Sequence, residues 1–247
     1  MRLLYPSAKS FAKVMEIIYN IIDEGIFRFT TKGINLIAMD PSQRSMVIFN
    51  MPKEVFKEYE VEEDLNLGVD IDYLKKILKR TRANEMLELI YDKQLKIIFS
   101  SKKTKREFII PLLDLTDSLL DELKIEYKNK IKIRGETLRD IVNDASILSN
   151  YVKFIITPDG FYAQSKNDNS TMNEEFKIGE DLLFVQGEGE EGALFPIDYL
   201  TDILKAIRKD DVIELMVEKN KPLKMEFVME GAHIKYFLVP SSEEEWM

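Results

Sequence analysis

The chain has 247 residues, 45% of them apolar and 32% charged, a balance that supports a packed core and excludes a wholly disordered chain. With no cysteine, disulfides and thiolate metal sites are excluded, and no apolar run approaches the ~20 residues that a membrane-spanning helix needs. The formal charge of −9 argues against a nucleic-acid partner until its distribution is considered. Residues 1–117 carry 19 Lys+Arg against 18 Asp+Glu, whereas residues 118–247 carry 16 against 26, and binding answers to the local field.

In chain order, MRLLYPSAKS lacks the apolar core of a secretory signal, which makes an intracellular location, cytoplasm or nucleoid, the expectation. FAKVMEIIYNII (11–22) places Phe11, Val14, Met15, Ile18 and Ile22 on one helical face. IFRFTTKGINLIAMD (26–40) reads as two strands around a Lys32-Gly33 turn. A second helix from Ile71 has Leu74, Ile77, Leu78 and Thr81 at helical spacing, with Asp72 as N-cap or first-turn carboxylate. MLELIYD (86–92), QLKIIF (94–99) and EFIIPL (107–112) are predicted strands. LLDLTDSLLDELKIEY (112–127), neither periodic nor glycine-rich, is the expected linker.

The order then repeats. TLRDIVNDASIL (137–148) is a helix, VKFIITPDGFYAQSK (152–166) a strand pair, and IDYLTDILKAIRKDDVIEL from Ile197 matches IDYLKKILKRTRANEMLEL from Ile71 at ten of nineteen positions, 126 residues apart. VIELMVE (212–218), PLKMEF (222–227) and IKYFLVP (234–240) complete the second copy. Two helices and many strands per copy predict an α+β fold in two tandem copies, helices on mostly antiparallel sheet: 1–111, linker 112–127, and 128–247 with an acidic tail.

The repetition keeps surface charge as well as core. Lys75, Lys79 and Arg82 fall at i, i+4 and i+7 beside the apolar face, with Lys76 and Arg80 adjacent. Lys205 and Arg208 match them, and Lys13 with Lys9 sits on the polar face of the first helix. Arg139, among Glu136, Asp140 and Asp144, is expected to contribute little. A lone basic helix face usually only keeps a protein soluble; matched basic faces on an acidic chain point instead to phosphate contacts made by charge, salt-dependent and blind to sequence. Catalytic chemistry is absent. His233 has no second His or Cys beside it, the glutamates of GEGEEG (187–192) would repel a pyrophosphate, and in Asp70-Ile71-Asp72, whose second-copy counterpart begins with Pro196, helix capping explains Asp72 better than metal binding does. Neither metal nor cofactor is expected, and a hydrolase hidden in the fold is disfavoured because no nucleophile, base and orienting group assemble.

MDPSQRSMVIFNMP (39–52), DYLKKILKR (72–80), LLDL (112–115), KPLKMEF and IKYFLVP, in this order and with the tail SSEEEWM, resemble the proliferating cell nuclear antigen family. The resemblance spans almost the whole chain. It implies a homotrimeric ring around duplex DNA, built head to tail, that tethers DNA polymerase, clamp loader, flap endonuclease and DNA ligase through short peptide motifs; the alternative is a subunit of a heterotrimeric or checkpoint-type clamp. It implies DNA-lining roles for Lys13, Lys76, Lys79 and Lys205, to which helix geometry adds Lys75, Arg82 and Arg208. It implies a partner-peptide site at Met39, Gln43, Arg44, Met46, Leu119, Leu120, Pro222, Phe237, Val239 and Pro240, where Arg44 departs from the family's apolar residue. It implies a subunit contact between Lys105, Arg106, Phe108 and Ile110 on one edge strand and Met172, Glu174, Glu175 and Phe176 on another.

Overall fold

The structure, a computed structural model, describes residues 1–116 and 120–246. They divide into two units: Met1–Pro41, Val47–Glu122 and Met229–His233 in the first; Ser42–Met46, Leu123–Val228 and Ile234–Met247 in the second.

In the first unit, β1 (Arg2–Tyr5) leads into α1 (Ala8–Tyr19), whose N-cap Ser7 accepts from the Ser10 N–H at 3.2 Å. There follow β2 (Glu24–Thr30), β3 (Gly33–Met39), β4 (Ser45–Pro52), β5 (Glu58–Glu60), β6 (Leu65–Asp70), α2 (Ile71–Leu78), β7 (Met86–Tyr91), β8 (Leu95–Ser100) and β9 (Lys105–Ile110). The strands run β5-β1-β7-β8-β9 in one sheet and β4-β3-β2-β6 in the other, so β9 is a sheet edge. Phe11, Val14, Met15 and Ile18 of α1 are buried with Leu74, Ile77 and Leu78 of α2, which packs beside it. Each such side chain contributes about 2 kcal/mol by leaving water. The linker begins against this unit, where the Leu113 N–H donates to the Gly68 carbonyl at 2.9 Å.

The second unit repeats the plan. It consists of β10 (Lys130–Arg134), α3 (Gly135–Ser146), β11 (Tyr151–Thr157), β12 (Gly160–Lys166), β13 (Thr171–Phe176), β14 (Leu182–Gln186), β15 (Glu191–Pro196), α4 (Ile197–Ala206), β16 (Val212–Met216), β17 (Leu223–Met229) and β18 (Ala232–Leu238). Here the strand runs are β14-β10-β16-β17-β18 and β13-β12-β11-β15, and β13 is again an edge. The α+β expectation holds.

Both units solve the same local problem in the same way. The first helix starts with N–H groups that have no partner in its own helix. The turn after the second helix supplies carbonyls: Ala8 N–H donates to Glu85 O at 2.8 Å, and Gly135 N–H to Asp211 O at 2.7 Å. A Cβ on Gly135 would lie 2.5 Å from the Arg208 carbonyl oxygen, so only glycine permits that approach. These turns also set the positions of the basic residues.

Candidate functional site: basic faces, a polar groove and two open edges

On α1, Lys13 pairs with Glu16 at 2.6 Å. Lys75 of α2 lies 5.8 Å from the ring centre of Tyr19. Tyr19 is buried, its hydroxyl meets no hydrogen-bond partner among the described residues, and burial, reinforced by Glu16, pushes its phenol far above the ordinary range. Lys76, Lys79, Arg80 and Arg82 are exposed.

The expected stripe of Lys75, Lys79 and Arg82 does not survive as a helical feature. α2 stops at Leu78, with Lys79 as C-cap. Arg80 and Thr81 donate to Ile77 O and Leu78 O, tightening the last turn, and Asn84 at φ 63° turns the chain into β7. Of the two roles expected of Asp72 it takes the second: it falls in the first turn, while Asp70 is the N-cap and accepts from the Tyr73 N–H at 2.8 Å.

Beyond α2 the Arg82 N–H donates to Glu85 at 2.8 Å. The Glu85 side chain is 1% exposed and receives the Arg106 guanidinium at 2.6 Å. Burial raises its carboxyl, but the bonds from Arg106 and the Arg82 N–H outweigh this and hold it below the usual carboxylate range. Arg106 also donates to the Arg80 carbonyl at 3.0 Å and lies over Phe99. The guanidinium of Arg82 itself makes no ion pair among the described residues.

The second copy distributes its charges differently. Asp211 stands where Glu85 does, accepting from the Arg208 N–H at 2.8 Å, but β18 has no arginine, and Arg208 turns its own guanidinium onto Asp211 at 3.1 Å. Lys205 pairs with Asp202 at 2.7 Å and Lys209 with Glu136 at 2.7 Å. Arg139 donates to the Leu204 carbonyl at 3.3 Å and to that of Ile207, holding the C-terminal end of α4. Matched positions thus carry unequal roles: among the described residues, Lys76, Lys79, Arg80 and Arg82 are exposed without ion pairs, whereas Lys205, Arg208 and Lys209 are internally paired.

On the second unit, part of the expected partner site clusters around Arg44. Gln43, at φ 58°, turns the chain at Ser42–Met46, and the Val239 N–H donates to the Arg44 carbonyl at 2.9 Å. The Arg44 guanidinium donates to Ser241 Oγ at 3.1 Å and lies 5.8 Å from the Tyr199 ring centre. Tyr199 is itself fixed by a 2.7 Å bond between its hydroxyl and Ser42 Oγ. Val239 is 44% exposed, whereas Met46 and Phe237 are core residues at 5% and 2%. These two offer almost no surface, a correction to their expected contact role. Tyr199 and Ser241 were missed; the only sequence signal was the tyrosine of the repeated IDYL.

Pro222 takes part in a further set of bonds in that unit. Its carbonyl accepts from the Tyr127 hydroxyl at 2.7 Å, and buried Glu218 accepts from the N–H groups of Lys128 and Asn129 and from the Lys221 ammonium. Burial raises the Glu218 carboxyl, and those three donors bring it below the ordinary range. This carboxylate holds the end of the linker. Glu218→Ala is expected to cost about 2 kcal/mol and to speed hydrogen exchange at Lys128 and Asn129 at least roughly tenfold; unchanged exchange would show that the segment is held otherwise. In the first unit, Met39 and Leu120 are half-buried, and Leu119 lies outside the described residues.

The C-terminal turn Glu243–Trp246 lies on β11 and β12. Lys153 meets Glu243 at 3.1 Å, the Tyr151 hydroxyl meets Glu245 at 3.2 Å, and Lys166 sits 5.3 Å from the Trp246 ring centre. The GEGEEG segment is also engaged: Glu188 pairs with Lys128 at 2.9 Å, and Glu191 accepts from the Lys219 N–H. Among the described residues, no cluster of three or more metal-ligating side chains occurs.

The two open edges differ in character. On β9, Lys105 is exposed, Ile109 is 48% exposed, Phe108 packs edge-on to Phe99, and Ile110 is buried. On β13, Phe176 packs on Phe161, and Glu175 accepts from the Tyr162 hydroxyl at 3.1 Å. Burial and then Asp144 and Asp140 raise the Glu174 carboxyl.

Comparison with known proteins places this geometry. The family model for the N-terminal domain of proliferating cell nuclear antigen matches residues 3–118. The DNA polymerase sliding clamp of Thermococcus gammatolerans is 32% identical over 246 residues, 98% of each chain. The chain belongs to the proliferating cell nuclear antigen family. Among solved members, PCNA from Thermococcus kodakaraensis shares the fold at a TM-score of 0.93 and 21% identity, over 97% of this chain and 99% of that one. A. fulgidus PCNA bound to the C-terminal region of FEN-1 matches at 0.90 and 25% identity, over 98% of each chain. Against the pattern expected of this family, Arg106 is committed to Glu85 within its own unit rather than reserved for Glu174 or Glu175, and Ile110 is interior.

Proposed function

We propose that this chain is a DNA sliding clamp. Three copies close head to tail around duplex DNA and tether the DNA polymerase, and through short peptides the clamp loader, flap endonuclease and DNA ligase, without performing chemistry. Such a role lies inside the cell, on replicating DNA.

The observation that carries this reading is the pair of open edges, β9 and β13, on a chain made of two copies of one fold. Among the described residues, each edge presents a row of backbone donors and acceptors without a strand partner, and both strands are six residues long. β9 of one copy laid on β13 of the next continues both sheets. Because the two patches differ, the contact either closes into a ring or runs on as a filament. Exposed Lys105 complements Glu174, whose raised carboxyl sits beside Asp140 and Asp144 and gains from a neighbouring cation. A closed ring retains DNA by topology, so a few weak phosphate contacts suffice and sequence is not read.

The purified chain is expected to show the mass of three chains by light scattering at low and high salt. Placed on nicked circular DNA by its clamp loader, it should remain through a high-salt wash and leave when the circle is cut. A monomer at both salts would mean that the edges need different chains, the heterotrimeric or checkpoint-type alternative. Equal retention on circular and linear DNA would remove encirclement.

A further inference from the structure

We propose that Arg44 is the specificity determinant of the partner site, selecting peptides that carry one carboxylate beside an apolar anchor. The proposal rests on the reading that this site takes partner peptides, and names which ones. The cation is fixed at both ends: the Val239 N–H holds its main chain at 2.9 Å, and Ser241 Oγ and the Tyr199 ring hold its guanidinium. Both side-chain holders are uncharged. Arginine has five N–H donors in a planar fork suited to a carboxylate, and Ser241 is the one hydrogen-bond acceptor of this guanidinium among the described residues. The cation is therefore held by neutral groups, and the Glu245 carboxylate, bonded to the same Ser241 hydroxyl, acts on it through its field without an ion pair among the described residues.

The neighbourhood already responds to that charge. The carboxyl of Glu245 lies below the ordinary range, chiefly through the Ser241 hydroxyl, with the field of Arg44 adding to it. Beside the guanidinium, exposed Val239 and half-buried Pro240 give an apolar surface. The tail carboxylates Glu243, Glu244 and Glu245 make the chain beyond Ser242 acidic. A uniformly acidic peptide is repelled there, and a purely apolar one leaves the guanidinium unsatisfied beneath it. A peptide with one carboxylate next to its apolar anchor meets both demands, and specificity follows from the two penalties together.

The test uses the full-length clamp and the C-terminal peptide of the same organism's flap endonuclease, with each position replaced in turn by Glu and by Gln. Calorimetry or anisotropy reads the affinity for wild type, Arg44→Gln and Arg44→Lys, each first checked for unchanged mass and melting temperature. At one or two adjacent positions, Glu is expected to bind the wild type roughly tenfold more tightly than Gln, as for a charge-assisted bidentate pair. The gap should close in Arg44→Gln and persist in part in Arg44→Lys, which keeps the charge but loses the fork. Glu and Gln binding alike at every position, or a gap that survives Arg44→Gln, overturns the specificity role while leaving the partner site intact. If no peptide binds any of the three proteins, the partner-site reading fails and the proposal with it.

Discussion

Glu85→Ala is expected to cost the first unit about 4 kcal/mol, the range found when one partner of a buried pair is removed. The Arg106 guanidinium, 20% exposed and with its Nε already lacking a partner among the described residues, would lose its carboxylate, and the Arg82 N–H its acceptor. The turn that holds the start of α1 would loosen with it. Glu85→Gln should lose less and should alter the pH dependence. The folded-state carboxyl lies below its unfolded value, so its stabilisation is complete above the unfolded pKa and is lost as pH falls through the folded one. Denaturant titrations of wild type and Glu85→Gln should therefore converge between about pH 5 and pH 2. Parallel curves would show that this carboxylate carries none of the acid sensitivity.

The second large effect separates the two repeats. Removing Lys76, Lys79, Arg80 and Arg82 together is expected to weaken binding to linear duplex and to flatten the salt dependence, by about 0.9 in log–log slope for each phosphate that is no longer neutralised. The melting temperature should hardly move, because none of the four side chains makes an ion pair among the described residues. Arg208→Ala should behave in the opposite way. It strips a buried carboxylate of its cation, so melting falls by an amount equivalent to about 2 kcal/mol while the salt slope changes little. Equal slope changes from matched sites would mean that internal pairing does not withhold Arg208 from phosphate.

Much of this architecture was legible because periodicity and repetition report the same physical demand, an apolar face to be buried. The faces of α1 and α3, the strand pairs, and the two-copy plan all follow from it. What escaped were pairings made by tertiary register. Arg106 reaches Glu85 only because β8 and β9 pair Phe99 with Arg106, and nothing in REFII announces that partner. The internal repeat highlights identical residues, so Glu85 against Asp211, a change in kind but not in charge, drew no attention. Phe237, placed at the partner site by the family resemblance, is interior because β18 buries Tyr236, Phe237 and Leu238 in succession, without the alternation of a half-exposed strand. Arg44, by contrast, stood out in the sequence as a departure from an apolar position, but only the structure supplies its uncharged cradle.

The tail turn has a practical consequence. Trp246 is the single tryptophan in 247 residues, and a lysine ammonium rests against its ring. All indole emission from this molecule therefore originates at one point, beside Glu245. The protein carries an intrinsic fluorophore whose colour and lifetime register whether the tail lies on β11 and β12 or has lifted into water, with no label attached.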